Sequence, residues 1–233
     1  TGVFDNKPNL FIGLSVGSNI IMAKCYGQND KDKAQKVVST SIIISLISGV
    51  ILAIFGVVFA KQLLLLMGSP SDVINLATIY LQIFFIGMPF NLLYNFGSSI
   101  LRASGDTKRP LYFLLISGLF NVGANLLFVI VFNMSTDGVA LATIISQFIS
   151  ALLILITLLK EKGFCHLSLK ELKIDKNVLL EIAKVGLPAG LQGTIFSISN
   201  VIIQSSVNFF GSYVMAGNGA AANLEGFIYV CMN

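Results

Sequence analysis

Glu225 is the one carboxylate inside an uncharged, apolar stretch of the 233 residues, and no Lys or Arg lies within seven positions of it. An acid in a membrane interior is a functional-site expectation by default, because it costs free energy unless it takes up a proton, pairs with a cation or faces water. Neutral amides recur elsewhere in rows. Asn121 and Asn125 are four apart, Asn91 and Asn95 repeat that step beside Pro89, and Gln192, Asn200, Gln204 and Asn208 follow at multiples of four. Thr143, Gln147 and Ser150 mark a further row. Residues four apart share a helix face. Two readings stand for each row: it lines an aqueous cavity that accepts varied solutes, or it hydrogen-bonds helix to helix, at about 0.6 kcal/mol per contact.

Other chemistry is sparse. His166 is the only histidine and sits among lysines, and Cys25, Cys165 and Cys231 are widely spaced, so no zinc site and no disulfide framework is legible. Ser104-Gly-Asp-Thr-Lys108 lacks the leading glycine of a phosphate-binding loop. The expectation is therefore a protein that is not an enzyme, with no metal, no cofactor and no nucleic-acid partner.

The elements that must carry these residues follow from composition. Only 26 residues, 11%, are charged, 55% are hydrophobic and the mean hydropathy is +0.84. A soluble domain carries roughly a quarter charged residues. The uncharged runs are Pro8–Ala23, Val37–Ala60, Val73–Leu101, Leu111–Thr136, Gly138–Leu159 and Val185–Leu224. A spanning helix needs about 20 residues. The chain thus reads as an all-α, polytopic membrane protein with five complete spans and two ragged ones. The last run must break near 211–219, where three glycines and an asparagine cluster, and Asn133-Met-Ser-Thr-Asp-Gly138 reads as a turn.

Charge placement sets direction. Thirteen of the fifteen basic residues lie in three connections, 24–36, 102–109 and 160–184, and the alternate connections hold only Lys61, Asp72 and Asp137. The basic set is assigned to the cytoplasm. In the 160–184 connection, Ser168-Leu-Lys-Glu171 fits a capping box, and Leu172, Leu179, Ile182 and Ala183 predict a short amphipathic helix on the inner leaflet. Gly13-Leu-Ser-Val-Gly17 and Gly186-Leu-Pro-Ala-Gly190 are small-xxx-small patterns that favour close helix packing. Pro89 and Pro188 are candidate hinges; the alternative for Pro188 is a place in the first turn of its helix.

Six motifs stand in order along the chain: Leu10-Phe-Ile-Gly-Leu-Ser-Val-Gly-Ser-Asn19, Tyr26-Gly-Gln-Asn-Asp30, Tyr80-Leu-Gln-Ile-Phe-Phe-Ile-Gly-Met-Pro89, Leu101-Arg-Ala-Ser-Gly-Asp-Thr-Lys-Arg-Pro110, Gly138-Val-Ala-Leu-Ala-Thr-Ile-Ile-Ser-Gln147 and Val185-Gly-Leu-Pro188. In this order they resemble the multidrug and toxic compound extrusion (MATE) family. The resemblance implies a two-lobe bundle of twelve helices, of which this chain is a fragment. Residues 1–160 would hold helices two to six of the amino-terminal lobe, 161–184 the cytoplasmic linker, and 185–233 helices seven and eight. It implies a multi-pass plasma-membrane monomer that exports small organic, often cationic, solutes by alternating access against inward proton or sodium flow. Asn121 and Asn125 fall where some relatives carry an Asn and an Asp of an ion-linked cavity; here both are amides, which do not titrate. With Glu225 they form the expected ion-coupling set, and Asn91, Gln147, Gln192, Asn200, Gln204 and Asn208 the expected solute cavity. The alternatives are a lipid-linked oligosaccharide flippase of the same superfamily, whose cavity should carry arginines, and a fragment with no transport activity.

Overall fold

Apolar runs bounded by lysines fold as helices because a chain in hydrocarbon must satisfy its N–H and C=O groups internally. A computed structural model describes residues 9–66, 74–133, 136–168, 172–211 and 214–221. Its helices are α1 (Asn9–Gly27), α2 (Lys31–Leu66), α3 (Ile74–Ile86), α4 (Met88–Ala103), α5 (Lys108–Leu126, continued by a π-helical turn, Leu127–Val131), α6 (Thr136–Lys160) and α7 (Lys176–Phe209). Residues 214–221 are helical again, and no strand occurs among the described residues. Among the described residues four helices are long and apolar enough to cross a membrane, and α3 with α4, bent by 43°, makes a fifth if the pair is one span. At 36 residues α2 extends about 54 Å, well beyond a hydrocarbon core of about 30 Å.

The bend falls at Gly87. Pro89 is in the first turn of α4, where its missing N–H would have no helical acceptor in any case, while inside a continuous helix it would remove a bond and clash with the turn before it. The Gly87 carbonyl accepts from Phe90 N and Asn91 N, both at 3.1 Å, and so starts the new helix. A Cβ on Gly49 of α2 would collide with the Pro89 backbone, so the kinked segment lies directly on α2.

The three basic connections meet at one end of the bundle. Lys33 Nζ donates to both carboxylate oxygens of Glu181 at 2.9 and 2.8 Å, Lys36 is 3.5 Å from Asp175, and Arg109 Nη1 donates to Glu161 at 2.7 Å. Tyr26 stacks edge-on against Phe164 at 5.1 Å. Beneath this end lies the main core, in which Met22, Val37, Val38, Ile100, Ile154, Leu158, Leu167 and Ile182 are fully buried. Small residues let the backbones approach: α2 buries Ser39, Ser41, Ser45, Ser48, Gly49, Gly56 and Ala60. Among lipid tails this close packing replaces the hydrophobic drive of a soluble core.

Three expectations change. The 172–184 stretch is no separate amphipathic helix: 172–175 is non-helical, and Lys176 onward is the first part of α7 itself. Asp175, rather than Ser168, caps it, its Oδ1 accepting from Asn177 N at 2.9 Å and Val178 N at 3.2 Å. Burial of Val178 and Ile182 against α1 and α2 explains why those turns stay with the span. Pro188 is consequently an interior residue of α7, not a first-turn one, and the helix runs through it unbroken. The turn expected over 133–138 is shorter, since Thr136, Asp137 and Gly138 already belong to α6. The break expected within the sixth run over 211–219 is confined to its start: α7 ends at Phe209 and Gly211 takes φ +90°, open to a residue without a Cβ, whereas Gly217 and Gly219 lie in the helical stretch 214–221.

Candidate ion and solute site

The amide row of α5 is joined to a second helix. Ser146 Oγ of α6 donates its only proton to the Thr143 carbonyl at 2.8 Å, so it accepts from Asn121 Nδ2 at 3.2 Å. Asn121 Oδ1 then accepts from Asn125 Nδ2 at 3.0 Å. The chain ends on Asn125 Oδ1, which is buried with no hydrogen-bond partner among the described residues. An acceptor left so costs about 1–3 kcal/mol. Immediately beyond it, α5 loosens into the π turn Leu127–Val131, a distortion frequent at functional sites. Ser146 was not singled out from the sequence, although it lies three residues after Thr143 and one before Gln147.

The other predicted rows are distributed differently. Asn95 Nδ2 donates to both Asn91 O and Asn91 Oδ1 at 2.8 Å, so this pair is linked along α4. Gln147 fills the kink: a Cβ on Gly87 would lie 2.7 Å from its Oε1. On α7, Gln204 Nε2 donates to Asn208 Oδ1 at 2.9 Å, and Asn218 Nδ2 reaches Gln204 Oε1 at 3.4 Å. Asn208 is buried, while Gln192 and Asn200 stand exposed on the same helix. Glu225 lies outside the described residues. His166 Nδ1 is 2.7 Å from the Glu161 carbonyl in the basic connection, away from these amides. Among the described residues no three His, Cys, Asp or Glu side chains gather as a metal site.

One alignment ties the polar face of α7 to its packing face. Gly186 and Gly190 press against Gly13, Leu14 and Gly17 of α1, so the two glycine motifs found separately in the sequence are partners. Gln204 and Asn208 follow those glycines by eighteen residues each, which is five full turns. The same face of α7 therefore passes from glycine seam at the basic end to carboxamides about 27 Å farther on.

The MatE family profile matches residues 9–127, more than half of the chain. The chain belongs to the MatE family. It is 32% identical over 226 residues to a probable multidrug resistance protein, YoeA, of Bacillus subtilis, covering 93% of this chain and 48% of the relative. YpnP of the same organism, also a probable multidrug resistance protein, is 33% identical over 220 residues, with 94% and 49% covered. A solved inward-facing multidrug resistance MATE transporter of the MOP superfamily superposes with a TM-score of 0.81 at 26% identity, over 94% of this chain and 51% of that one. The chain spans about half the length of the curated relatives it matches. As a MatE chain it is a multi-pass protein of the cell membrane, and its family consists of transporters rather than enzymes.

Proposed function

We propose that this chain supplies part of a secondary active antiporter that exports small organic, often cationic, solutes by alternating access, driven by inward flow of sodium ions or protons. The observation that carries the reading is the unpartnered Asn125 Oδ1 at the end of the Ser146–Asn121–Asn125 chain. A buried carbonyl oxygen without a donor is stabilised by a hard cation, which takes oxygen ligands. Because an amide does not titrate, this group suits sodium; the carboxyl of Glu225 suits a proton. Gln147, Gln192, Asn200, Gln204 and Asn208 supply neutral donors and acceptors that suit varied solutes, whereas the Asn91–Asn95 pair serves to hold α4.

Export is favoured over the flippase alternative by the position of the arginines. Arg102 is in the last turn of α4 and Arg109 in the first turn of α5, where Glu161 and Asp106 hold it. Neither lines the interior of a described span. The test is uptake of a fluorescent organic cation into everted vesicles that contain the full-length protein. Uptake should follow an imposed sodium or proton gradient; uptake that persists when both gradients are collapsed overturns the antiporter reading.

A further inference from the structure

At the basic end, a cavity of about 570 Å³ opens between the start of α5 and the end of α6, lined by Arg109, Ile156, Thr157, Lys160, Glu161 and Lys162. Arg109 is neutralised there: its guanidinium lies 2.7 Å from Glu161 Oε2 and 3.0 Å from Asp106 Oδ2, and it braces the wall. Lys160 and Lys162 form no ion pair with any described residue, and with Arg109 set against Glu161 and Asp106 they leave the mouth net positive. Inward from Lys160, Ile156, Leu152 and Phe148 follow at steps of four and share its face of α6. All three are exposed, at 38%, 42% and 45%. They form an apolar track about 12 Å long from Ile156 to Phe148 that ends under a net positive mouth bearing two ammonium groups outside any ion pair with a described residue.

We propose that this groove is a binding site for an anionic glycerophospholipid of the inner leaflet, with the phosphate between Lys160 and Lys162 and an acyl chain along Ile156, Leu152 and Phe148. Charge complementarity selects the occupant. The end of the bundle carries thirteen basic against seven acidic residues in its three connections, and basic juxtamembrane groups attract anionic headgroups. A zwitterionic lipid brings its own ammonium group against the two lysines. A soluble phosphate gains the charge attraction without the apolar track. The site is independent of the transport reading.

These 233 residues contain no tryptophan, so in a full-length parent with any other tryptophan replaced by phenylalanine an Ile156→Trp variant places a single fluorophore in the groove. The protein is reconstituted in phosphatidylcholine vesicles doped with brominated phosphatidylglycerol or, separately, brominated phosphatidylcholine. Half-quenching should need less of the anionic lipid, on the order of fivefold less for each lysine. Adding Lys160→Gln and Lys162→Gln should lower the preference to the level seen at Ile20, and millimolar glycerol 3-phosphate should leave the quenching unchanged. Ile20→Trp, four residues before Lys24 on α1, reports the general attraction of the leaflet and should show a smaller preference. Equal quenching by both lipids, a preference undiminished by loss of both lysines, relief by glycerol 3-phosphate, or an equal preference at Ile20 would overturn the site. Leu152→Trp reads the same groove if Ile156→Trp does not fold.

Discussion

Gly13 of α1 and Gly190 of α7 meet backbone to backbone, so that a Cβ on Gly13 would overlap the main chain of Gly190 and crowd the carbonyl of Gly186. Nothing flexible is there to yield. This contact fastens the first half of α7 to the amino-terminal half of α1, and the Lys33–Glu181 pair ties α7 to α2 nearer the basic end.

Substitution at the seam should therefore destabilise. Gly13→Leu or Gly17→Val is expected to cost about 1–3 kcal/mol, as overpacking does. Gly123→Ala on α5, where an added Cβ meets nothing within 4 Å, should be neutral or stabilise by up to about 1 kcal/mol. Thermal unfolding of purified protein in detergent checks both; a seam variant as stable as Gly123→Ala would show that the two helices do not meet in this way.

The cap of α7 gives a pH dependence. The hydrogen bond from Val178 N, aided by that from Asn177 N and by Lys36, holds the Asp175 carboxyl below its ordinary range. Its folded value lies below the unfolded one, so the stabilisation is complete above the unfolded value, about 3.9, and is lost as pH falls through the folded value. The unfolding temperature should thus fall less steeply below about pH 4 in Asp175→Asn, which keeps a capping acceptor but does not titrate, than in the parent. Identical acid limbs would mean that Asp175 does not cap α7 through its charge.

The topology has a direct chemical readout. Cys25 and Cys165 are buried, at 1% and 3% exposure, and burial pushes the Cys165 thiol up, so neither should react with an impermeant maleimide. Asp106→Cys, in the connection before α5, should label only from the cytoplasm, and Asp137→Cys, in the first turn of α6, only from outside. Reversed labelling would invert the bundle.

How much of this was legible in the sequence follows from which constraints are local. Charge is costly in hydrocarbon wherever neighbours stand, so the basic connections could be read directly, and Lys33, Lys36, Arg109, Glu161, Asp175 and Glu181 do meet at one end. Gly211 and Pro89 punctuate the backbone by their own geometry, so the break and the kink were also readable. What escaped depends on which helices are neighbours. The 176–184 turns join α7 because Val178 and Ile182 find a core; the two glycine motifs could be seen, but not that they face each other. Asn121 and Asn125 could be placed on one face, while their tie to Ser146 lies across 25 positions of chain.

Coupling of a cation to solute export by the α5 amides and Glu225 is tested most directly by solute-dependent cation flux in vesicles holding the full-length parent, Asn125→Ala or Glu225→Gln. Both variants should lower the flux, Glu225→Gln more than Asn125→Ala, with the protein still inserted and folded. Parental flux in both would contradict the account, and an equal loss in both would place the coupling ion elsewhere than proposed.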